Sequence, residues 1–232
     1  MDWVWSHAGE IWSLTLAHIG LSVPPIVLGF LISIPFGYWA SRSAAARSVL
    51  LTAGNVLYTI PALALVVLVP VLLGLSLLNP LNVIVALTIY AVAIMVRSAA
   101  DAFASVSEPV TESATAQGYS ARQRFFQVEF PLAGPVLLAG IRVVSVSTIS
   151  LVTVGALVGI DSLGSLFTDG FQRDFLLEAV VGFVLVLVLA AVFELVLSLL
   201  GWLLMPWNRG SRRSSRAARA TAVTMPNTEP GL

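Results

Sequence analysis

Long apolar runs alternate with short polar breaks along this 232-residue chain, and the run lengths predict membrane-crossing helices. Apart from His18, no acidic or basic residue lies between Glu10 and Arg42, and none lies between Arg47 and Arg97. As one helix the second run would extend roughly 70 Å at about 1.5 Å per residue, against a hydrocarbon core of about 30 Å, so it must cross twice. The turn is expected at 74–82. Five spans follow from the pattern, at 14–40, 49–73, 83–100, 135–157 and 178–204. They leave an interfacial segment at 1–13, a transmembrane domain at 14–204 and a polar tail at 205–232.

Composition agrees with this division. With 58% hydrophobic and 10% charged residues, the chain lacks the polar surface of a soluble domain, so an all-α integral membrane protein is expected. All twelve basic residues are arginine. Arg42 and Arg47 follow the first span, Arg97, Arg122 and Arg124 surround a polar block before the fourth, and five more lie between Arg209 and Arg219; only Arg173 falls clearly on the other side. The positive-inside rule then places that block and the C-terminus in the cytoplasm of a cell-membrane protein, with the N-terminus outside. Residues 1–13 carry Asp2, Glu10 and three tryptophans in place of a basic signal region, and are expected along the outer surface. The Arg-, Ser- and Ala-rich tail is expected to be a disordered basic segment drawn to anionic lipid. Trp3, Trp5 and Trp12 at one interface and Trp39, Trp202 and Trp207 at the other form an aromatic belt.

The polar block at 105–131 parses as helix, break, helix. Gly118 supplies the left-handed residue that ends the first helix, Ser120 and Gln123 have capping-box spacing for the second, and Pro131 is expected to stop it. Glu112, Ala114 and Gly118 place a carboxylate and two small residues about one turn apart, where another surface could approach closely. The block reads Glu112-Ser113-Ala114, three residues, Gly118, nine residues, then Val128-Glu129-Phe130-Pro131. This resembles the EAA motif of the membrane subunits of ATP-binding-cassette (ABC) importers, with Ser113 standing for Ala, Val128 for Ile and Phe130 for Leu. The resemblance implies the type I ABC importer permease fold with a cytoplasmic coupling-helix loop. It also implies that Glu112, Ser113, Ala114, Gly118 and Pro131 serve docking to a separate cytoplasmic ATPase. The same resemblance implies a second permease subunit, identical or homologous, and an extracytoplasmic substrate-binding protein.

Further residues resemble the osmoprotectant branch of that family, which imports glycine betaine, choline, carnitine or proline. They are the run Ile60 to Leu65, Tyr90, and the segment from Gly159 to Ser162-Leu163-Gly164; Ile160-Asp161-Ser162 departs from the glycine-rich run common there. An importer of an amino acid or another small polar solute shares the same loop and stays open as the alternative.

Inside the spans, Pro61 removes a helical hydrogen bond, so a kink or break is expected that could be a pathway hinge or a packing feature. Pro24, Pro25 and Pro35 pose the same choice in the first span. Tyr58, Tyr90 and Ser145 are candidate pathway residues, although a Ser hydroxyl can equally bond its own helix. Gly155 and Gly159 have small-xxx-small spacing for close helix packing. Arg142 and Glu194 fall at similar depths and are a candidate intramembrane ion pair, with snorkelling of Arg142 as the alternative.

Chemistry is thinly represented. The chain has no cysteine, and His7 and His18 are its only histidines, so no metal site and no cofactor are expected. It has no phosphate-binding loop and no lysine, so ATP must be hydrolysed by another subunit. An intramembrane enzyme would need a nucleophile with a base, which the spans do not offer. A scaffold would need neither broken helices nor a docking loop. No nucleic-acid partner is expected.

Overall fold

In hydrocarbon every backbone N–H and C=O must find a partner inside the protein, and the chain meets this by being helical almost throughout. The structure, a computed structural model, describes residues 2–207. The helices are α1 (Asp2–Ser6), α2 (Ala8–Arg42), α3 (Ala44–Thr59), α4 (Ala62–Leu73), α5 (Pro80–Ala104), α6 (Glu108–Ala116), α7 (Ala121–Arg124), α8 (Phe130–Val152), α9 (Ser165–Gln172) and α10 (Leu176–Leu204). A π-helical turn, Phe125–Glu129, joins α7 to α8, and a 3₁₀ segment, Thr153–Val158, follows α8. The expected tail at 205–232 falls almost wholly outside the described residues.

Four helical runs are long and apolar enough to cross a membrane: Ala8–Arg42, Pro80–Ala104, Ala121–Val158 and Leu176–Leu204. The fifth expected span is a bent pair, α3 and α4, which meet at 100°. The cause is local. Pro61 lacks an N–H, and the residue before it, Ile60, is pushed into the extended region at φ −66°, ψ 129°. The carbonyl of Ile60 that this leaves without a helical donor accepts the hydroxyl of Tyr90 from α5.

Other prolines behave differently. α2 runs through Pro24, Pro25 and Pro35 without a break, and its 35 residues span about 52 Å, so it projects beyond a hydrocarbon core of about 30 Å. Residues 8–13, expected as part of a separate interfacial segment, are its first turns. Pro131 does not stop the helix it was expected to stop. The Phe130 N–H reaches back five residues to the Phe125 carbonyl, and the widened π-helical turn relieves the clash that the proline ring would make with the preceding turn.

The core is built on α5, which packs against α2, α8, α3 and α4. Along the α2–α5 seam, Gly29 faces Ala91 and Gly37 faces Ala99, one eight-residue step apart on both helices. A methyl at Gly37 would collide with the Ala99 side chain and stand 2.8 Å from its carbonyl carbon, so the two backbones are in direct contact. Such small-residue seams hold helices together where water exclusion supplies no drive. α10 is the opposite case: its side chains are mostly exposed leucines and valines, as on a lipid-facing helix.

The segment after α8 departs from its expected course in two ways. Gly155 lies in the 3₁₀ segment and Gly159 is its left-handed terminator at φ 80°, so the two do not share one helical face. The chain then re-enters as α9, which the span pattern overlooked. Its Leu166 is buried with Leu163 against α10, Ser162 Oγ accepts from the Gly164 N–H at 3.0 Å, and those caps and apolar spacings were the available signal.

Gly37→Val should cost roughly 1–3 kcal/mol by overpacking the α2–α5 seam, whereas Gly20→Ala, where a Cβ meets nothing within 4 Å, should cost nothing and stabilise the helix by up to about 1 kcal/mol. Thermal unfolding of the two variants in detergent checks this.

Candidate docking loop and intramembrane polar sites

The loop between α5 and α8 projects beyond the spans at the end where Arg42, Arg47 and the C-terminus of α10 also lie, Met205 approaching Gly134 near the start of α8. α6 starts after Ser107, with Glu108 and Pro109 in its first turn, an arrangement suited to the positive end of a helix dipole. It ends in a Schellman motif: the Gly118 N–H bonds the Thr115 carbonyl at 3.0 Å and the Tyr119 N–H bonds the Ala114 carbonyl at 3.1 Å. Gly118 sits at φ 86°, and a Cβ there would meet nothing within 4 Å, so glycine is required for its backbone conformation and not for space. The capping box is complete, with Ser120 Oγ accepting from the Gln123 N–H at 3.3 Å and Gln123 Oε1 accepting from the Ser120 N–H at 2.9 Å.

Glu112, Ser113 and Gly118 are exposed on this loop. Ala114 is not. It is buried beside Tyr119 and Val128, so the small residue expected to admit another surface instead lets α6 settle on the π-helical turn of its own chain. Pro131 is half-buried in the first turn of α8. On the other side of α6 lies a cavity of about 610 Å³, bounded by Ser41 and Arg42 of α2, Phe103 of α5, and Thr111 and Glu112 of α6.

Beneath the loop is a cluster that the motif did not single out. The Glu129 side chain is 2% exposed and takes Arg42 Nη2 on Oε2 at 2.6 Å and Arg124 Nε on Oε1 at 2.8 Å. Arg124 also donates to Thr115 Oγ1 in α6 at 3.0 Å, and the Arg42 guanidinium lies over the Tyr38 ring, 5.1 Å from its centroid. Arg47 pairs with Asp101, and Arg97 donates to Asn55 Oδ1 at 3.1 Å, so Arg42, Arg47, Arg97 and Arg124, four arginines used above in the topology expectation, also tie neighbouring elements together. The sequence did carry a signal for Glu129: it is the sole carboxylate between Glu112 and Asp161 and follows two arginines.

Within the spans, Arg142 Nε lies 3.3 Å from Glu194 Oε1, joining α8 to α10. The contact is an ion pair without a well-directed hydrogen bond, because Nε itself has no bonded acceptor. Tyr58 is exposed, its ring edge-on to Tyr90 at 5.9 Å, while Tyr90 is buried with its hydroxyl committed to the break at Ile60. Ser145 is buried and donates to the Ile141 carbonyl at 2.8 Å, so in this arrangement its hydroxyl serves its own helix. His18 is fully buried and links α2 to α8 through Nε2 and the Ile149 carbonyl at 3.0 Å.

A family model described as "Binding-protein-dependent transport system inner membrane component" matches residues 6–210. Over 196 residues the chain is 29% identical to the choline transport system permease protein OpuBB of Bacillus subtilis, covering 83% of this chain and 88% of that one. It is 36% identical over 149 residues to the ergothioneine transport permease/ergothioneine binding protein EgtU of Helicobacter pylori, covering 63% of this chain but only 26% of that longer protein. Among solved structures, a chain of the inward-facing MetNI methionine ABC transporter superposes with a TM-score of 0.72 at 18% identity, over 84% of this chain and 95% of that chain. The fold is that of type I ABC importer permeases.

An unpaired charge at membrane depth costs on the order of 3 kcal/mol, so Arg142→Met or Glu194→Leu alone should destabilise the subunit more than the two together. A double-mutant cycle on unfolding temperature checks this, and simple additivity would mean that the two side chains do not stabilise each other.

Proposed function

The chain belongs to the binding-protein-dependent transport system inner membrane component family, and from that premise we propose that it is the pathway-forming permease of an ATP-driven osmoprotectant importer. Its cargo is a quaternary ammonium compound or a close analogue: glycine betaine, choline, carnitine or proline. A family of this kind works with a separate ATPase, a second permease subunit and a substrate-binding protein. The chain itself is the transport component. Choline and ergothioneine, named for the two relatives above, are both trimethylammonium compounds, and this common cation supports the substrate class.

The observation that carries the mechanism is the α6–α7 knob, closed by a Schellman motif at Gly118 and a two-way capping box at Ser120. Its shape is set by backbone bonds within the loop, so it can receive a push as a rigid body. In this reading Glu112, Ser113 and Gly118 face the ATPase groove, Ala114 and Pro131 fix the knob to the chain, and closure of two ATPases alternates the access of two permeases. The break at Pro61, where α3 and α4 meet with only one hydroxyl bridging the gap, serves as the hinge, and Tyr58 beside it borders the pathway. The arginine-rich end faces the cytoplasm and the N-terminus lies outside.

Labelled glycine betaine uptake at high external salt, with choline, carnitine and proline as competitors, should fall when the gene is deleted and return with the wild-type copy. Gly118→Val places a β-branched residue in the left-handed region at about 1–2 kcal/mol and should abolish the rescue while the protein still reaches the membrane. Unchanged betaine uptake on deletion would move the cargo to another small solute, and full rescue by Gly118→Val would overturn the docking assignment.

A further inference from the structure

A displacement of α6 reaches the membrane helices only through atoms that touch. The direct way to the end of α2 is interrupted by the cavity of about 610 Å³, while the short linker 105–107 ties α6 to α5. On its other side α6 rests on α7 and the π-helical turn, its Ala114 carbonyl accepting from the Tyr119 N–H and its Thr115 hydroxyl from Arg124. From there α7, the π-helical turn and α8 form one helical run, so a push passes along the chain into the fourth span. No such covalent route leads to the first span.

What joins the first span to the loop is Glu129. One carboxylate oxygen holds Arg124 of α7 at 2.8 Å and the other holds Arg42, in the last turn of α2, at 2.6 Å. Both bonds are charge-assisted and short, and the carboxylate is shielded from water. The edge-on packing of Tyr38 on Phe125, 4.8 Å between ring centroids, is a second contact between α2 and the π-helical turn, but it is apolar and undirected and does not reach α7. We infer that Glu129 is a positioning residue for coupling: its carboxylate makes the cytoplasmic end of the first span move with the docking loop. This rests on the transport reading above and extends it to a residue outside the docking surface. Without the carboxylate, two guanidiniums of like charge face each other and α2 keeps only the apolar packing of Tyr38 on Phe125 as its described link to the π-helical turn. Arg42 is nearly half exposed and Arg124 a quarter exposed, so both can turn to water, and the subunit is expected to assemble without the link.

The test uses the permease reconstituted in proteoliposomes with its ATPase and binding protein. Glu129→Gln should keep the ATPase bound and hydrolysing, while glycine betaine imported per ATP falls about tenfold, within the range of ordinary coupling energies. Glu129→Asp should recover part of the loss. Ser41→Cys and Thr111→Cys line opposite sides of the cavity in a chain without native cysteine, so a short bismaleimide between them should restore coupling to Glu129→Gln. The yield of that cross-link gives a readout independent of the cargo: unaltered by ATP when Glu129 is present, altered by ATP in Glu129→Gln. Unchanged uptake per ATP in Glu129→Gln overturns the assignment, as does a loss that accompanies release of the ATPase and is not recovered by the cross-link. Should Glu129→Gln fail to assemble, Arg42→Gln, on the exposed side of the same pair, takes its place in both measurements, with the same results expected and the same results overturning the assignment. Wild-type complex that imports no betaine, together with an ATP-sensitive cross-link only in the variant, overturns the cargo and leaves the coupling role standing.

Discussion

A hydrogen-bonding group without a partner costs far more in hydrocarbon than in water, and the architecture follows from where that rule is obeyed and where it is locally suspended. Helix α2 stays continuous over 35 residues, although each of its three prolines removes one helical hydrogen bond. At Ile60–Pro61 the ladder fails, and a hydroxyl from the neighbouring helix takes the freed carbonyl. The bend is thus held by α5, which supplies the Tyr90 hydroxyl and packs against Leu65, Val66 and Val69 of α4.

Charge follows a second version of the same constraint. Among the described residues, Arg142 and Glu194 pair within the spans, and at the end bearing the α5–α8 loop several charges form connected pairs. Arg42, Arg124 and Glu129 meet beneath the loop, and Arg47 meets Asp101 beside it. These arginines thus fasten neighbouring helix ends to one another.

Rigidity is distributed unevenly as a consequence. The seam of Gly29 and Gly37 against Ala91 and Ala99 brings α2 and α5 into backbone contact, and interdigitated small residues resist sliding. The loop of α6 and α7 is separately fixed through its caps. Between these two bodies lie a cavity on one side, and on the other the ion-paired Glu129 carboxylate and the packed rings of Tyr38, Phe103 and Phe125.

Membrane class, the approximate spans, the helix–break–helix of the loop and its caps were legible in the sequence, because hydropathy, capping side chains and a left-handed glycine act over a few residues of chain. The loop motif and its spacing were equally legible, as was the matching depth of Arg142 and Glu194. Tertiary structure alone decided the rest. It turned Ala114 inward and committed Tyr90 and Ser145 to backbone carbonyls, since which face a side chain presents depends on what packs beside it. It let the helix pass Pro131 through a π-helical turn, a device that local propensity does not announce. It also brought Arg42 across 87 positions of sequence to Glu129, a meeting that depends on the packing of the first span against the fourth and leaves no trace in the spacing of either motif.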